Sequence, residues 1–343
     1  MPAGAVILPW LLRIADADRP CRRPRLTSWR ACTLYRLTAQ SLARRDEPMV
    51  FERAVGSIVG GALGDGWGRP FEGTVPRGAI RVPDELVVTD DTQLTLATCE
   101  AVIDGGIIDP AKIAERFLVW FRAGRLRGLG ASTFKALRDL DAGAHWALSG
   151  AKGERSAGNG AAMRIAPLAF LLDLESDEAR RTLRDVCRIT HHHDEAYVGG
   201  LAVATAVRLV SQPGHSAADL LVEVADSLPD SKVRDRIARF ATFGDDVSPF
   251  QIGDTWGSSG FVADSVPLAL FAAREVHKRP FAEILQRTIA AGGDTDTIAS
   301  ITGQIAGAAL GYPALPAELV ARLRDRDEIL GIAQSFGRVA AAG

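Results

Sequence analysis

Residues 292–311, GGDTDTIASITGQIAGAALG, decide the fold of this chain. An acidic motif opens the stretch, and glycines then recur at every fourth position. The same spacing occurs near the start of the chain; the two sets are Gly56, Gly60 and Gly64, and Gly303, Gly307 and Gly311. On a helix this spacing forms a smooth stripe that another backbone can approach closely, which offsets the cost of about 1 kcal/mol per glycine. We therefore expect a core that places these two distant segments side by side.

Apolar residues elsewhere recur at helical spacing. From Glu52 onward they are three and four residues apart in six further segments, as in amphipathic helices. The segments are 111–122, 132–140, 178–189, 217–227, 265–277 and 281–290. Strict alternation over a strand length is scarce: residues 80–88 come closest, and Pro83 interrupts them. The sequence therefore predicts an all-α fold with a single compact domain at 49–343.

The composition is that of an ordinary globular protein. The chain of 343 residues has 40 Lys+Arg against 42 Asp+Glu, a formal net charge of -2. This balance argues against nucleic-acid binding, which normally needs a basic excess. The cysteines are widely spaced, which excludes a zinc ribbon or a dense disulfide framework and favours the cytoplasm. The uncharged stretch 297–317 contains Gln304 and Pro313 and is interpreted as a buried helix, so no membrane association is expected.

Residues 1–48 differ from the rest of the chain. They contain nine Arg and no Lys, and they show neither a helical nor a strand period. One interpretation is a disordered extension, or an upstream start codon with Met49 as the true beginning. The other is an arm that covers a site or contacts a partner.

Two motifs place paired carboxylates and hydroxyls directly before apolar helices. They are Thr89-Asp90-Asp91-Thr92 and Asp294-Thr295-Asp296-Thr297. Asp and Thr also cap helix N-termini, but a single cap residue would satisfy each helix. Neither motif contains Lys or Arg, so a hard cation must neutralise them if they meet, and Mg²⁺, Mn²⁺ and Ca²⁺ prefer such oxygen ligands. The pattern predicts a metal site with room for two ions.

A glycine-bearing segment, Ser156–Arg164, precedes an expected apolar helix. Small residues allow backbone amides to approach a phosphate, although a plain turn explains the glycines equally well. Met163 excludes a G-x-G-x-x-G loop. Three successive histidines follow at His191, His192 and His193. On a helix end their side chains point about 100° apart, so they cannot share one metal, and His192 and His193 are expected to be capping or solvated.

In these residues the chain resembles the ADP-ribosylglycohydrolase family. The resemblance covers 52–312, and its further elements, in order, are Gly64-Asp65, Pro70-Phe71-Glu72, Gly158-Asn159-Gly160 with Met163-Arg164, and Thr190-His191. Each element alone is weakly specific, whereas the ordered set is strongly specific. It implies an orthogonal all-α fold with two Mg²⁺ or Mn²⁺ ions. The implied activity is hydrolysis of the N- or O-glycosidic bond between ADP-ribose and a modified arginine or serine side chain, or a related conjugate.

The resemblance also implies roles for individual residues. The metal ligands would be Thr89, Asp90, Asp91, Asp294, Asp296 and Thr297. The catalytic carboxylates would be Glu72, Asp90, Asp91 and Asp296. The substrate contacts would be Ser156, Gly158, Asn159, Gly160 and His191. The residues themselves, apart from the resemblance, suggest Gly128 and Gly130 as a second wall and Phe261 as an aromatic that stacks on adenine. For Glu72 a solvated loop carboxylate is the alternative, and for Phe261 a core aromatic.

Some questions stay open at this level. Some arginine-directed members carry Asp near the position of Gly128, so the glycine here leaves the linkage undecided. An immunity-type interaction protein is an alternative function, in which residues 1–48 block an ADP-ribosyltransferase partner. A metal-bound scaffold without turnover is a third. The sequence does not decide the oligomeric state.

Overall fold

Fourteen α-helices run through the part of the chain that this computed structural model describes, residues 29–76, 78–153 and 156–342. They are α1 (Trp29–Gly68), α2 (Asp90–Gly105), α3 (Pro110–Arg122), α4 (Ala131–Asp141), α5 (Asp177–Arg188), α6 (Asp194–Val210), α7 (Leu220–Ser227), α8 (Lys232–Ala241), α9 (Pro249–Trp256), α10 (Val262–Ala273), α11 (Phe281–Ile289), α12 (Thr295–Leu310), α13 (Ala317–Val320) and α14 (Arg326–Ala342). Short 3₁₀ segments lie at Arg69–Phe71, Asn159–Arg164, Ala166–Phe170 and Tyr312–Ala314. Within these ranges β-structure is limited to isolated bridges such as Leu86 with Leu323. The all-α prediction is confirmed.

The N-terminal region belongs to a separate packing unit. Packing divides the chain after Arg44, and residues 45–343 form one unit. Side chains are described from Glu47 onward, and α1 begins at Trp29, inside the expected extension. The first 28 residues lie outside the described part of the chain. The interpretations of residues 1–48 as a disordered extension, an upstream start or an arm therefore stay predictions.

Local signals explain where the helices begin. The Asp109 carboxylate accepts a hydrogen bond from the Ala111 amide at 2.8 Å and caps α3, and Ser176 caps α5 in the same way. The expectation of an apolar helix after residue 164 was wrong. Pro167 has no amide proton and its ring opposes a continuous α-helix, and two 3₁₀ segments form here instead.

The two glycine sets lie against each other in antiparallel α1 and α12. A Cβ atom added to Gly56 would lie 2.4 Å from the carbonyl oxygen of Gly307, and one added to Gly60 would lie 2.3 Å from that of Gly303. The pairing continues at Gly64, which approaches the Ala299 carbonyl. Any side chain at these positions would force the helices apart. The predicted close approach of two distant segments is confirmed, and it brings the C-terminal end of α1 beside the N-terminal end of α12.

The interior is formed mainly by α2, α6, α10 and α12, which are buried along most of their lengths. The stretch 297–317 forms α12 as far as Leu310 and leaves the helix at Gly311. Inside α12, the buried Gln304 donates a hydrogen bond to the carbonyl of Met163 at 2.6 Å. Among the described helices, none combines the length and the apolar character needed to cross a membrane.

Candidate active site

The two acidic motifs meet at the N-terminal ends of α2 and α12. Thr297 Oγ1 lies 3.2 Å from Asp91 Oδ2, although 206 positions separate the two residues. Helix N-termini carry partial positive charge, which favours the carboxylates gathered there. The close packing of α1 on α12 positions the acidic motif at Asp294–Thr297. Contacts from α1 to α2 position the motif at Thr89–Thr92.

A cavity of about 500 Å³ opens beside this meeting point. Most of the residues assigned to the site from the sequence line it: Glu72, Asp90, Asp91, Gly128, Gly130, Gly158, Asn159, Gly160, His191, Asp294, Asp296 and Thr297. Its size is that of a typical ligand pocket. Further lining residues, to which the sequence assigned no role in the site, include Ser132, Thr133, Met163, Ser259 and Gly260.

Three residues assigned from the sequence do not line the cavity. The Thr89 hydroxyl is buried and donates to Asp65 Oδ1 at 2.9 Å. The Ser156 hydroxyl donates to the Gly153 carbonyl at 2.6 Å. Phe261 precedes α10 and packs partly buried against the core. Their proposed roles in metal or substrate binding stay predictions.

The carboxylates of Asp90, Asp91, Asp294 and Asp296 form the acidic cluster, and the loop that carries Glu72 holds this residue at its edge. The Gly73 amide donates to the carbonyl of Gly293 at 2.7 Å, and the Gly293 amide donates back to Thr74 at 2.9 Å. Gly293 has φ +78°, and a Cβ atom there would lie 2.0 Å from the Ser258 carbonyl oxygen, so only glycine fits. This pairing places carboxylate oxygens of Glu72, Asp294 and Asp296 within 4.8 Å of one another.

The buried carboxylates are difficult to ionise together. Burial, and then repulsion from Asp294, raises the pKa of Asp296 to about 9. Burial is also the main cause of the pKa values of Asp90 and Asp91 lying well above the usual range. The pKa of Glu72 is raised by burial and by Asp294. Without a compensating positive charge, part of the cluster therefore binds protons at neutral pH.

The donor set fits a hard cation. Asp91 Oδ1 is buried and has no hydrogen-bond partner among the described residues, although burying a carboxylate oxygen without a partner is costly. Carboxylates, with a hydroxyl on Thr297, face the same space. A divalent metal ion would supply both the missing partner and the missing charge.

Asp65 lies next to the site and supports the first turn of α2, although its position in the sequence indicated no role. Its side chain is fully buried and accepts hydrogen bonds from the amides of Thr89 and Thr92, at 2.9 Å and 3.1 Å, and from both hydroxyls. Burial raises its pKa to about 6 in spite of these bonds. Asp65 thereby anchors the first turn of α2. The available signal was an ionisable residue directly after the last glycine of the first set.

The Gly158-Asn159-Gly160 segment joins the cavity wall to α12. The Asn159 side-chain amide donates to Asp294 Oδ2 at 2.6 Å and to Ser265 Oγ at 3.1 Å. The Asn159 backbone amide donates to the carbonyl of Gly260 at 3.0 Å. Asn159 therefore orients a carboxylate of the acidic cluster as well as lining the cavity.

The three histidines have separate environments. They lie at the N-terminal end of α6, where His193 is the N-cap and His191 and His192 precede the helix. His191 is buried at the cavity wall, where burial and then Arg164 lower its pKa to about 3. His192 Nε2 lies 2.6 Å from the carbonyl oxygen of Ser149. His193 caps α6 by accepting from the Glu195 amide at 3.0 Å, as expected for a capping residue.

Comparison with known proteins points in one direction. The family model described as ADP-ribosylglycohydrolase matches residues 46–342. An uncharacterized protein of Archaeoglobus fulgidus is 30% identical over 286 residues, 79% of this chain and 91% of that protein. The ADP-ribosylarginine hydrolase Tri1 of Pseudomonas putida (strain GB-1) is 27% identical over 94% of this chain and 85% of its own length. The ADP-ribosylhydrolase ARH3 of Mus musculus is 30% identical over 75% of this chain and 78% of its own length.

A solved structure described as an ADP-ribosylglycohydrolase-related protein complex is similar as well. It superposes with a TM-score of 0.67 at 26% identity, covering 85% of this chain and 99% of that chain. The fold and the named relatives therefore point to the same family.

Proposed function

Because this chain belongs to the ADP-ribosylglycohydrolase family, a family of hydrolases, we propose that it releases ADP-ribose from modified protein side chains or related conjugates. The bond cleaved is the N- or O-glycosidic bond to arginine or serine. The observation that carries the proposal is the contact between Thr297 and Asp91, which joins the two acidic motifs beside a cavity. The names of the Tri1 and ARH3 relatives support the same class of substrate.

We propose two Mg²⁺ or Mn²⁺ ions, held by Thr89, Asp90, Asp91, Asp294, Asp296 and Thr297. Five of these six residues line the cavity. The sixth, Thr89, has its hydroxyl oxygen 3.1 Å from Asp91 Oδ2 and can approach the site from behind. Bound divalent cations would neutralise the carboxylates and orient ribose hydroxyls and water at the scissile bond.

Among the proposed catalytic carboxylates Glu72, Asp90, Asp91 and Asp296, we assign proton transfer to Glu72. It is exposed at the cavity edge, so it can exchange protons with solvent, whereas the other three are buried. Its raised pKa brings it closer to the range in which a general acid or base works at neutral pH. Asp90, Asp91 and Asp296 then serve to hold the proposed metal ions.

Two groups of lining residues are proposed to bind the ADP-ribose unit. Gly158, Asn159, Gly160 and His191 form the first group, and Gly128 and Gly130 form the second. Ser156, which hydrogen-bonds to Gly153, would support the first group without lining the cavity. Phe261 follows Gly260 at the cavity and is retained as the proposed adenine contact.

A substrate panel tests the proposal. Arginine-linked, serine-linked and small-molecule ADP-ribose conjugates are incubated with the protein in Mg²⁺, Mn²⁺ or EDTA, and released ADP-ribose is measured. We expect release only with metal, and a loss of about 100-fold or more in Asp294→Asn. Asp254→Asn, at an exposed carboxylate on α9, is the matched control and keeps full activity. No release from any conjugate, with intact ADP-ribose binding by calorimetry, would favour the scaffold without turnover.

Two further proposals concern the location of the protein and an alternative function. Cys99 and Cys187 are buried free thiols, which supports the proposed cytoplasmic location. The interaction protein that blocks an ADP-ribosyltransferase depends on residues 1–48, most of which lie outside the described ranges. Deleting these residues and measuring partner binding tests it.

A further inference from the structure

Arg164 is a fully buried arginine next to the candidate site. Its Nη2 donates to Thr190 Oγ1 at 2.6 Å and to the Val186 carbonyl at 3.4 Å, and its guanidinium lies 4.8 Å from the centre of the Phe117 ring. Nε and Nη1 have no partner within the described part of the chain. Burial lowers its pKa to about 10, so it stays cationic at neutral pH. Burying a cation with so few partners lowers the stability of the fold. Its one short hydrogen bond, to Thr190, therefore indicates that Arg164 has a functional role.

Thr190 connects this cation to His191. Its Oγ1 accepts from Arg164 and lies 2.8 Å from His191 Nδ1. A hydroxyl has a single proton to donate, and no other acceptor for it occurs among the residues described. Because Thr190 is fully buried, an unused proton would be costly. The hydroxyl proton is therefore directed to Nδ1, and a neutral imidazole that accepts at Nδ1 carries its own proton on Nε2.

The Nε2 edge of His191 faces the cavity. The ring packs on the glycine segment: a Cβ atom on Gly158 would lie 3.2 Å from Nε2, and one on Gly160 would lie 2.8 Å from Cε1. These glycines leave space for the ring and orient it into the cavity that His191 lines. Burial and the nearby Arg164 cation both disfavour a charged imidazole.

We propose that Arg164 is a positioning residue that acts through Thr190 to hold His191 in the tautomer with its proton on Nε2, ready to donate to an oxygen of the bound ligand. The opposite tautomer would present a lone pair to that oxygen and repel it. The identity of the ligand rests on the proposed function, whereas the tautomer is a property of the protein alone. The buried Arg164 cation thus determines which ring nitrogen of His191 carries the proton, without itself contacting the ligand.

Nitrogen NMR of the free protein tests the tautomer directly. In protein with ¹⁵N-labelled histidine at neutral pH, the shifts of the two ring nitrogens report which one carries the proton, and His191→Gln identifies the signals of His191. We expect Nε2 protonation in the wild type and in Thr190→Ser, which keeps the hydroxyl. Thr190→Val removes the hydroxyl at the same size and is expected to give mixed tautomers. A proton on Nδ1 in the wild type, or an unchanged tautomer in Thr190→Val, overturns the proposal.

Arg164→Met tests the role of the cation. Met keeps an unbranched side chain but provides no charged donor for Thr190, so nothing turns the hydroxyl proton away from position 164 and toward Nδ1, and we expect the tautomer preference to weaken. A folded Arg164→Met protein that keeps a single Nε2-protonated His191 would show that Thr190 suffices and that Arg164 has no positioning role. If this variant does not fold, the wild type and the Thr190 pair still decide the tautomer.

Binding connects the tautomer to the site. We expect Thr190→Val to weaken ADP-ribose binding by about 3- to 10-fold, the effect of one hydrogen bond, with Thr190→Ser close to the wild type. A changed tautomer with unchanged ADP-ribose affinity would refute donation to the ligand. Since the NMR result needs no ligand, a protein that binds no ADP-ribose would refute the proposed function and leave the tautomer result intact.

Discussion

Gly64 on α1 and Ala299 on α12 are in direct backbone contact: a Cβ atom on Gly64 would lie 2.0 Å from the Ala299 carbonyl oxygen. This contact sits one residue before Asp65, which anchors α2, and close to the start of α12. The assembly of the acidic cluster therefore depends directly on the packing of the two glycine-rich helices.

Gly64→Ala tests this coupling. The added methyl group cannot fit, and overpacking costs about 1–3 kcal/mol, so the free energy of unfolding in urea should fall by that amount. Metal affinity should fall as well, because the start of α12 moves away from α2. Gly331→Ala is the matched control, since a Cβ atom there meets nothing within 4 Å inside α14. It should leave stability unchanged or raise it by up to about 1 kcal/mol. Equal effects of the two substitutions would contradict the close-packing account.

Asp65→Asn should weaken the site without touching the cavity. The amide keeps one acceptor oxygen and turns an NH₂ group toward donors that now bind Asp65. Losing hydrogen bonds to a buried carboxylate costs about 1.5–3 kcal/mol each. We expect lower stability in urea and lower activity even at saturating metal. Activity and metal affinity at the wild-type level would show that Asp65 only fills space.

Stability without metal should fall as pH rises from 7 to 9. The folded protein keeps a proton on Asp296, whose pKa is raised to about 9, whereas the unfolded chain has released it. Folding is then linked to proton uptake, and the free energy of unfolding decreases with rising pH until the folded group also ionises. Thermal melts in EDTA across this range measure the slope.

Two comparisons test whether Asp296 causes this fall in stability with rising pH. Saturating Mg²⁺ should flatten the slope, because the cation stabilises the ionised carboxylates. Asp296→Asn in EDTA should reduce it, because the titrating group is gone. A slope that is the same with metal, with EDTA and in the variant would place its origin elsewhere.

Gly160→Ala should displace His191. The new Cβ atom would lie 2.8 Å from His191 Cε1, so the ring must move. We expect ADP-ribose affinity to fall by about 10-fold, the loss of one well-placed hydrogen bond, with little change in metal affinity. Gly105→Ala adds a methyl group at the last residue of α2, which does not line the cavity and where a Cβ atom meets nothing within 4 Å. Calorimetry should find a much smaller loss of ADP-ribose affinity in this control. A similar loss in both variants would argue against displacement of His191.

Much of the site was predictable because its signals are local in the chain. The motifs at Asp90-Asp91 and Asp294–Thr297 each contain their own carboxylates, and a glycine every fourth residue reports the packing face of a helix. The segment after Arg164 was less predictable, since Pro167 converts an apolar run from an α-helix to 3₁₀ turns. Some residues whose partners lie far away could not be given a role. Arg164, for example, is only one element of the ordered motif set until the fold buries it against Thr190.

The sequence by itself determined the helical class, the close approach of the two glycine-bearing segments and the identity of the acidic groups, because periodicity and composition act within single segments. The tertiary structure alone decided how the atoms are used: that the Thr89 hydroxyl turns to Asp65, that Asn159 holds Asp294, and that Arg164 reaches His191 through Thr190. Those outcomes depend on burial and on the direction of individual hydrogen bonds. Both arise only when segments distant in the chain are packed together.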